Sequence, residues 1–254
     1  MILDQFKLDG KVALVTGAGQ GLGQGMALAL AEAGADIAGL DRGPSAATGG
    51  AVRACGRRYR EIVCDLRAAG VDELNQAVAG VVDEFGRLDI LVNNAGIIRR
   101  ALALEFSEAD WDDVLHINLK AAFFLSQAVA RVMVPQGHGK IINIASMLSF
   151  QGGIIVPSYT AAKSGVAGIT RALANEWARH NINVNAIAPG YMATDNTAAL
   201  RANPDRAPAI LERIPAGRWG TPDDLQGVVV FLASPASDYM HGAIVPVDGG
   251  WLTR

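Results

Sequence analysis

The chain has 254 residues and a net charge of −3 with its four histidines neutral; it is 50 % hydrophobic and only 19 % charged. That balance excludes intrinsic disorder and lacks the basic excess expected of a nucleic-acid-binding domain. Glycine is over-represented at 29 residues, about 11 % against a usual ~7 %, without the three-residue period of collagen.

The first apolar run, Val12 to Thr16, is short and aliphatic and predicts a strand covered on both faces. It opens into Thr16-Gly17-Ala18-Gly19-Gln20-Gly21-Leu22-Gly23, followed by a helical pattern from Leu22 to Ala33. Glycines between a buried strand and a helix permit a tight turn and close backbone approach to a pyrophosphate, which meets free N–H groups at the helix start. The spacing is T-G-x-x-x-G-x-G on Gly17, Gly21 and Gly23, with Gln20 and Leu22 between them, and G-x-G-x-x-G fits in no register. No Lys-Ser or Lys-Thr follows, which excludes a triphosphate-binding P-loop. The next strand, Asp36 to Asp41, ends on a carboxylate about 18 residues beyond Gly23, where an acid accepts from ribose hydroxyls and repels a 2′-phosphate. Asp41 therefore predicts NAD over NADP, although Arg42 beside it could receive a phosphate.

Further strands are predicted at Glu61 to Asp65, Asp89 to Asn93, Lys140 to Ser146, Asn183 to Pro189 and Ala243 to Val247. Helical patterns lie between them at Asp72 to Phe85, Trp111 to Val134, Tyr159 to His180 and Pro222 to Leu232. Alternating strand and helix predicts an α/β protein: one domain over 1–254, a doubly wound parallel sheet of about seven strands with helices on both faces. The run Arg57, Arg58 and Arg60 is expected as a solvated helix-to-strand junction. The Pro-containing stretch 191–215 follows a strand end and is expected to form a flap over a site.

Cys55 and Cys64 make neither a disulfide framework nor a metal spacing, and none of the four histidines forms a ligand-spaced pair, so no metal is expected. Asp4, Lys7 and Asp9 interrupt the first residues where a signal peptide would be apolar, so a reducing cytoplasm is expected. The uncharged stretches 12–31 and 141–162 are broken by Gly and Gln or by Asn143, Ser146, Gln151, Pro157 and Tyr159, so no membrane span is expected.

Tyr159 and Lys163 stand four residues apart at the start of a helical pattern and so share a face. A phenol with a pKa near 10 works as a base at neutral pH only if its anion is stabilised, by about 4 kcal/mol for a shift of ~3 units. A lysine cation about 4 Å away, at an effective dielectric near 20, supplies about that much. Ser146 ends the fifth strand, at the carboxyl edge where such sheets bind ligands; its hydroxyl could orient a substrate oxygen or merely cap a turn. Asn118, inside the 111–134 pattern, is a poor helix former whose amide needs a partner, either in the site or on a buried carbonyl.

With these residues the chain resembles the short-chain dehydrogenase/reductase family over essentially its whole length. The glycine turn corresponds to that family's cofactor motif, Asn93-Asn94-Ala95-Gly96 to its motif after the fourth strand, and Ser146, Tyr159, Lys163 and Asn118 to its catalytic set. Asp65 with Leu66 resembles the adenine-contacting pair, and Pro189-Gly190 through Met192 to Thr194 the loop holding the nicotinamide carboxamide. The resemblance implies a Rossmann fold and an NAD cofactor held by these residues, including Asn93, Ala95 and Gly96. Tyr159 would take a proton from the substrate hydroxyl as hydride passes to NAD⁺, with Lys163 lowering its pKa and Ser146 holding the oxygen. Asn118 would anchor a water in a relay to Lys163. A homotetramer is also implied.

Several stretches, among them Ile98-Arg99-Arg100, Ser146 to Gly153, Gly190 to Thr194 and Val247 to Leu252, are similar to a branch of the family that acts on sugar acids of pectin and uronate breakdown. This implies substrates of the 2-deoxy-D-gluconate or 2-dehydro-3-deoxy-D-gluconate type, with gluconate at C5 and other polyols or ketones as neighbours. Independently, Arg99 and Arg100 in a loop expected at the cleft could bind a carboxylate, or be two surface arginines; Gln151 and Tyr191 could bond substrate hydroxyls. A catalytically silent NAD(H)-binding regulator is the reading from another class, and the intact Asn118, Ser146, Tyr159 and Lys163 set argues against it.

Overall fold

The computed structural model describes residues 1–254, and its seven strands are β1 (Val12–Thr16), β2 (Asp36–Asp41), β3 (Tyr59–Val63), β4 (Ile90–Asn93), β5 (Gly139–Ile144), β6 (Ile182–Pro189) and β7 (Ile244–Val247). They form one parallel sheet in the order β3-β2-β1-β4-β5-β6-β7, so the chain reverses its direction of travel between β1 and β4. Ligand crevices of open α/β sheets lie at that reversal, beyond the carboxyl ends of the strands.

The helices are α1 (Gly21–Glu32), α2 (Ala46–Ala54), α3 (Val71–Phe85), α4 (Glu108–Leu115), α5 (Ala121–Gln136), α6 (Pro157–Trp177), α7 (Ala198–Arg201), α8 (Arg206–Arg213) and α9 (Gln226–Ala233). Strand alternation divides the core between the two faces. Ala13 and Val15 point into the layer with Met26 and Leu30 of α1 and Val229 and Leu232 of α9. Val12 and Leu14 point into the other, with Val78 and Val81 of α3, Leu125 and Val129 of α5, and Leu173 of α6. The continuous helical run Glu108–Gln136 is long and apolar enough by composition to cross a membrane, and more than half of its apolar window is buried inside the protein.

Three departures from the sequence reading have physical causes. Helix α2 was implied only by the helix-to-strand junction at Arg57 and had no bounds, because Gly49 and Gly50 disfavour a helix; tertiary contact overrides propensity, since a Cβ on Gly49 would meet the Tyr59 ring at 2.8 Å. β3 begins at Tyr59, two residues before the expected Glu61, its start hidden among arginines that pair with Asp9, Asp36 and Glu84. The expected single helix 111–134 is broken by a π-helical turn, His116–Lys120, with Asn118 at its centre.

At the amino edge of the sheet Asp89 is buried and fully engaged. It accepts from the Val12 N–H at 2.9 Å, from Arg87 at 2.6 and 2.8 Å, and faces His138 at 2.6 Å, with Lys11 at 3.5 Å. Burial alone would raise its pKa, but the bonds from Arg87, His138 and Val12 outweigh it and hold the carboxyl below its usual range. β7 closes the other end of the sheet and carries Pro246.

Candidate active site

The glycine turn is built for a phosphate. Gly17 and Gly21 adopt φ of +67° and +57°, and a Cβ on Gly23 would lie 2.0 Å from the Gly17 carbonyl oxygen, so only glycine fits at these points. Gln20 precedes α1 without making a side-chain cap, and the first turn holds no acid, so the helix offers unsatisfied N–H groups and its positive end. The turn is stitched to the end of β4: the Thr16 hydroxyl accepts from the Asn94 and Ala95 N–H groups at 3.0 and 2.9 Å, and the Asn94 amide donates to the Thr16 carbonyl at 2.9 Å. This role of Asn94 went unread in the sequence. Asp41 Oδ2 accepts from the Gly19 N–H at 2.8 Å, which brings the carboxylate to the turn.

Across the crevice, Thr194 lies 3.8 Å from where a Gly21 Cβ would be, so the 189–194 loop faces the glycine turn. Gly190 packs on Asp248, where a Cβ would come within 2.6 Å of backbone, and Met192 is buried. Asp65 is exposed and accepts from the Arg67 N–H at 3.0 Å, with Leu66 buried beside it. Asn93 behaves differently from the expectation: its amide donates to Ala122, Ser126 and Asn143 inside the core, so its side chain does not face the crevice. The remaining groups fit a dinucleotide.

Ser146 follows β5 and is buried; its hydroxyl accepts from the Leu148 N–H at 3.2 Å, which makes it a turn cap and leaves its proton for another partner. Tyr159 and Lys163 lie in the first two turns of α6, started by Pro157. Lys163 Nζ donates to the Ile144 carbonyl at 2.6 Å and sits 5.5 Å from the Tyr159 ring centroid. Lys163 is buried, and the loss of hydration lowers its pKa to about 8. Burial pushes Tyr159 up to about 12, with Ser146 and Arg100 pulling in the opposite direction. The sequence argument that Lys163 drags the phenol down is therefore not what this geometry does. Desolvation dominates, and Tyr159 stands protonated at neutral pH.

Asn118 donates to the carbonyls of Ile97 and Val114, both at 2.9 Å, while its buried Oδ1 has no partner. Gly96 makes room for that oxygen, since a Cβ there would come within 2.5 Å of it. The amide holds the π-turn, and the oxygen is left with its bonding capacity unused.

On the substrate side, the Ala101 N–H donates to the Ile155 carbonyl at 3.1 Å, tying the loop after Arg100 to the segment before Tyr159. Arg99 is occupied by Asp110 at 3.1 Å and Asp113 at 3.6 Å, so it tethers α4 and its fork is not available to a substrate. Arg100 makes no ion pair and reaches only the Asn196 carbonyl at 3.4 Å. Tyr191 packs edge-on against Trp251 and Trp219, with ring centroids at 4.8 and 5.3 Å. Gln151 accepts from Arg213 of α8 at 3.4 Å, a contact that nothing in the sequence indicated. Gly249 and Gly250, unexplained by pattern alone, adopt φ of +65° and +87°; a Cβ on them would meet Ile214 at 2.9 Å and Pro215 at 3.0 Å, so they let the C-terminal turn seat beneath α8.

A family model described as enoyl-(acyl carrier protein) reductase matches residues 17–252. A protein of Dickeya dadantii named 2-dehydro-3-deoxy-D-gluconate 5-dehydrogenase is 63 % identical over 100 % of both chains. A solved structure from Agrobacterium tumefaciens with bound NADP is 55 % identical, covers 99 % of this chain and 100 % of its own, and superposes with a TM-score of 0.92. A gluconate 5-dehydrogenase from Burkholderia cenocepacia in complex with NADP and tartrate is 40 % identical over 100 % of both, with a TM-score of 0.95.

Proposed function

Because this chain belongs to the short-chain dehydrogenase/reductase family, we propose that it interconverts a secondary alcohol and a ketone at C5 of 2-dehydro-3-deoxy-D-gluconate or a closely similar sugar acid. The observation that carries the reading is the half-buried Tyr159 beside buried Lys163 and Ser146, at a cleft where Arg100, Arg206 and Arg213 make no ion pair and act on Tyr191. The 63 % identity to a relative named for that reaction supports the substrate, as does tartrate, a hydroxy acid, in the complex with the Burkholderia relative.

The bound dinucleotide supplies or accepts the hydride. Gly17, Gln20, Gly21, Leu22 and Gly23 would hold its phosphates, Asp41 the adenosine ribose, and Asp65 and Leu66 the adenine. The Asn93 side chain is used inside the core, which leaves only its backbone for the cofactor, while Ala95, Gly96, Pro189, Gly190, Met192 and Thr194 would hold the nicotinamide end. In the reducing direction Tyr159, protonated at neutral pH, donates its phenolic proton to the ketone oxygen that Ser146 holds. In the oxidising direction the order reverses: the Lys163 ammonium would first release a proton to a water held by Asn118 Oδ1, the phenol would then pass its proton to the Lys163 amine, and the resulting phenolate would take the proton of the substrate hydroxyl.

Asp41, bonded to Gly19 at 2.8 Å, supports NAD as the preferred cofactor. A second reading, NADP, is favoured by Arg42, which is exposed beside Asp41 without an ion pair, and by the NADP in both solved relatives. A reducing cytoplasm accords with two free cysteines, and the homotetramer implied by the family with a groove of about 600 Å³ in which Leu115, Leu119, Phe123, Phe124 and Ile169 are flanked by Asp112, His116 and Lys120. The decisive experiment follows NAD(P)H with a panel of sugar acids, using both cofactors in parallel and identifying the product. Turnover of 2-dehydro-3-deoxy-D-gluconate is expected, faster with NAD. No turnover of any sugar acid with either cofactor would overturn the reading.

A further inference from the structure

Helix α8 presents Arg206, Ile210 and Arg213 along one face, spaced by four and three residues. Ile210 is buried with Met147, Ile214 and Trp251, so this face is turned towards the substrate end of the cleft. The Arg213 guanidinium carbon stands 4.0 Å over the Trp251 ring, and its Nη2 donates to Gln151 at 3.4 Å. Neither Arg206 nor Arg213 pairs with a carboxylate; both, together with Arg100, bear electrostatically on the Tyr191 hydroxyl. Trp251 is itself 5 % exposed, and its indole N–H is buried without a partner. The indole N–H is thus a buried donor with its bond outstanding, beside the exposed and unpaired Arg213 guanidinium, which is open to an anion.

We propose that Arg206 and Arg213 of α8 bind the substrate's carboxylate, with Trp251 as the plate that fixes the plane of the Arg213 fork. The assignment rests on the sugar-acid reading and deepens it. Arg99, the sequence candidate, is occupied by α4, and Arg100 stands at the reacting end, where it bears on Tyr159. The substrate would therefore lie with its reacting carbon under Tyr159 and Ser146 and its carboxylate several bonds away, beneath α8. A planar guanidinium stacked on an indole can meet a carboxylate bidentately, which an ammonium cannot.

The test compares the full-length wild type with R206Q, R213Q and the double variant, on 2-dehydro-3-deoxy-D-gluconate and on its uncharged methyl ester. The ratio of kcat/KM for acid over ester is expected to fall about tenfold in each single variant and about 100-fold in the double. R213K, which keeps the charge without the fork, should recover part of the ratio. An unchanged ratio, or equal losses on acid and ester, would overturn the assignment while leaving the sugar-acid reading intact. A wild type that turns over no sugar acid would remove both.

Discussion

The two ends of the sheet treat charge in opposite ways. At the amino edge, Asp89 is buried and its polar neighbours are turned onto it: Arg87, His138, Lys11 and the Val12 N–H. At the carboxyl edge, Lys163 is equally buried with only the Ile144 carbonyl to meet its cation, Asn118 Oδ1 and the Trp251 indole lack partners, and α1 begins uncapped. A desolvated group with all its bonds made holds a fold together. A desolvated group with bonds outstanding is placed for a ligand or a proton.

Variants at four positions can break or sharpen that contrast, taken from the largest expected effect to the smallest. Tyr159→Phe should fold as the wild type does and lose about 10²–10⁴ in kcat, the usual weight of a general acid–base; retained turnover would break the contrast outright. Asp89→Ala should do the reverse, losing about 3 kcal/mol in urea unfolding while turnover per folded molecule persists. Since the folded pKa of Asp89 lies below the unfolded one, its stabilisation is present above pH ~4 and is lost as pH falls through the folded value. Asp89→Asn should accordingly flatten the acid limb of the stability profile.

Lys163→Met, measured without added cofactor, should abolish turnover yet stabilise the fold at pH 7. Holding the ammonium buried with its pKa near 8 costs about 3 kcal/mol, from which ~1 is deducted for the Ile144 carbonyl left without a donor. Between pH 8 and about 10.5 the unfolded lysine binds more protons than the folded one, so wild-type stability gains with pH and the variant's advantage should fade. Destabilisation at pH 7 would instead mean that the lysine is structural. The smallest effect belongs to Arg218→Ala. That arginine pairs bidentately with Asp224 at 2.6 and 2.7 Å, but in solvent, so the urea midpoint should not move measurably.

Much of this was legible in the sequence because the sheet's two-sided burial writes itself as short aliphatic runs, and strand β1 was expected with the bounds it has. The cofactor turn and the Tyr159–Lys163 pair were legible because their chemistry depends on local spacing. What escaped depends on contacts between distant residues. Helix α2 owes its place to Tyr59 and to Thr48, whose hydroxyl donates to the Ala18 carbonyl at 2.8 Å. Arg99 looked like a substrate ligand because it adjoins a motif, yet acids on α4 claim it; Arg213, over 100 residues later, looked like nothing until the chain brought it onto Trp251. The pKa argument for Tyr159 failed for a related reason. Proximity of a cation was legible, and the desolvation of both groups was not.

Pro246 bears on how copies of this molecule can meet. β7 is an edge strand, and its carbonyls at Ala243 and Val247 accept from Ala186 and Gly190 of β6. In a parallel ladder of that register the alternate residues, Ile244 and Pro246, face away from β6. The outward row of donors is thus interrupted where proline has no N–H, and a foreign strand cannot zip along it. The opposite edge, β3, sets Arg60 and Glu61 in the same guarding role. Both lateral edges of the sheet thereby disfavour backbone pairing between crowded copies of this protein.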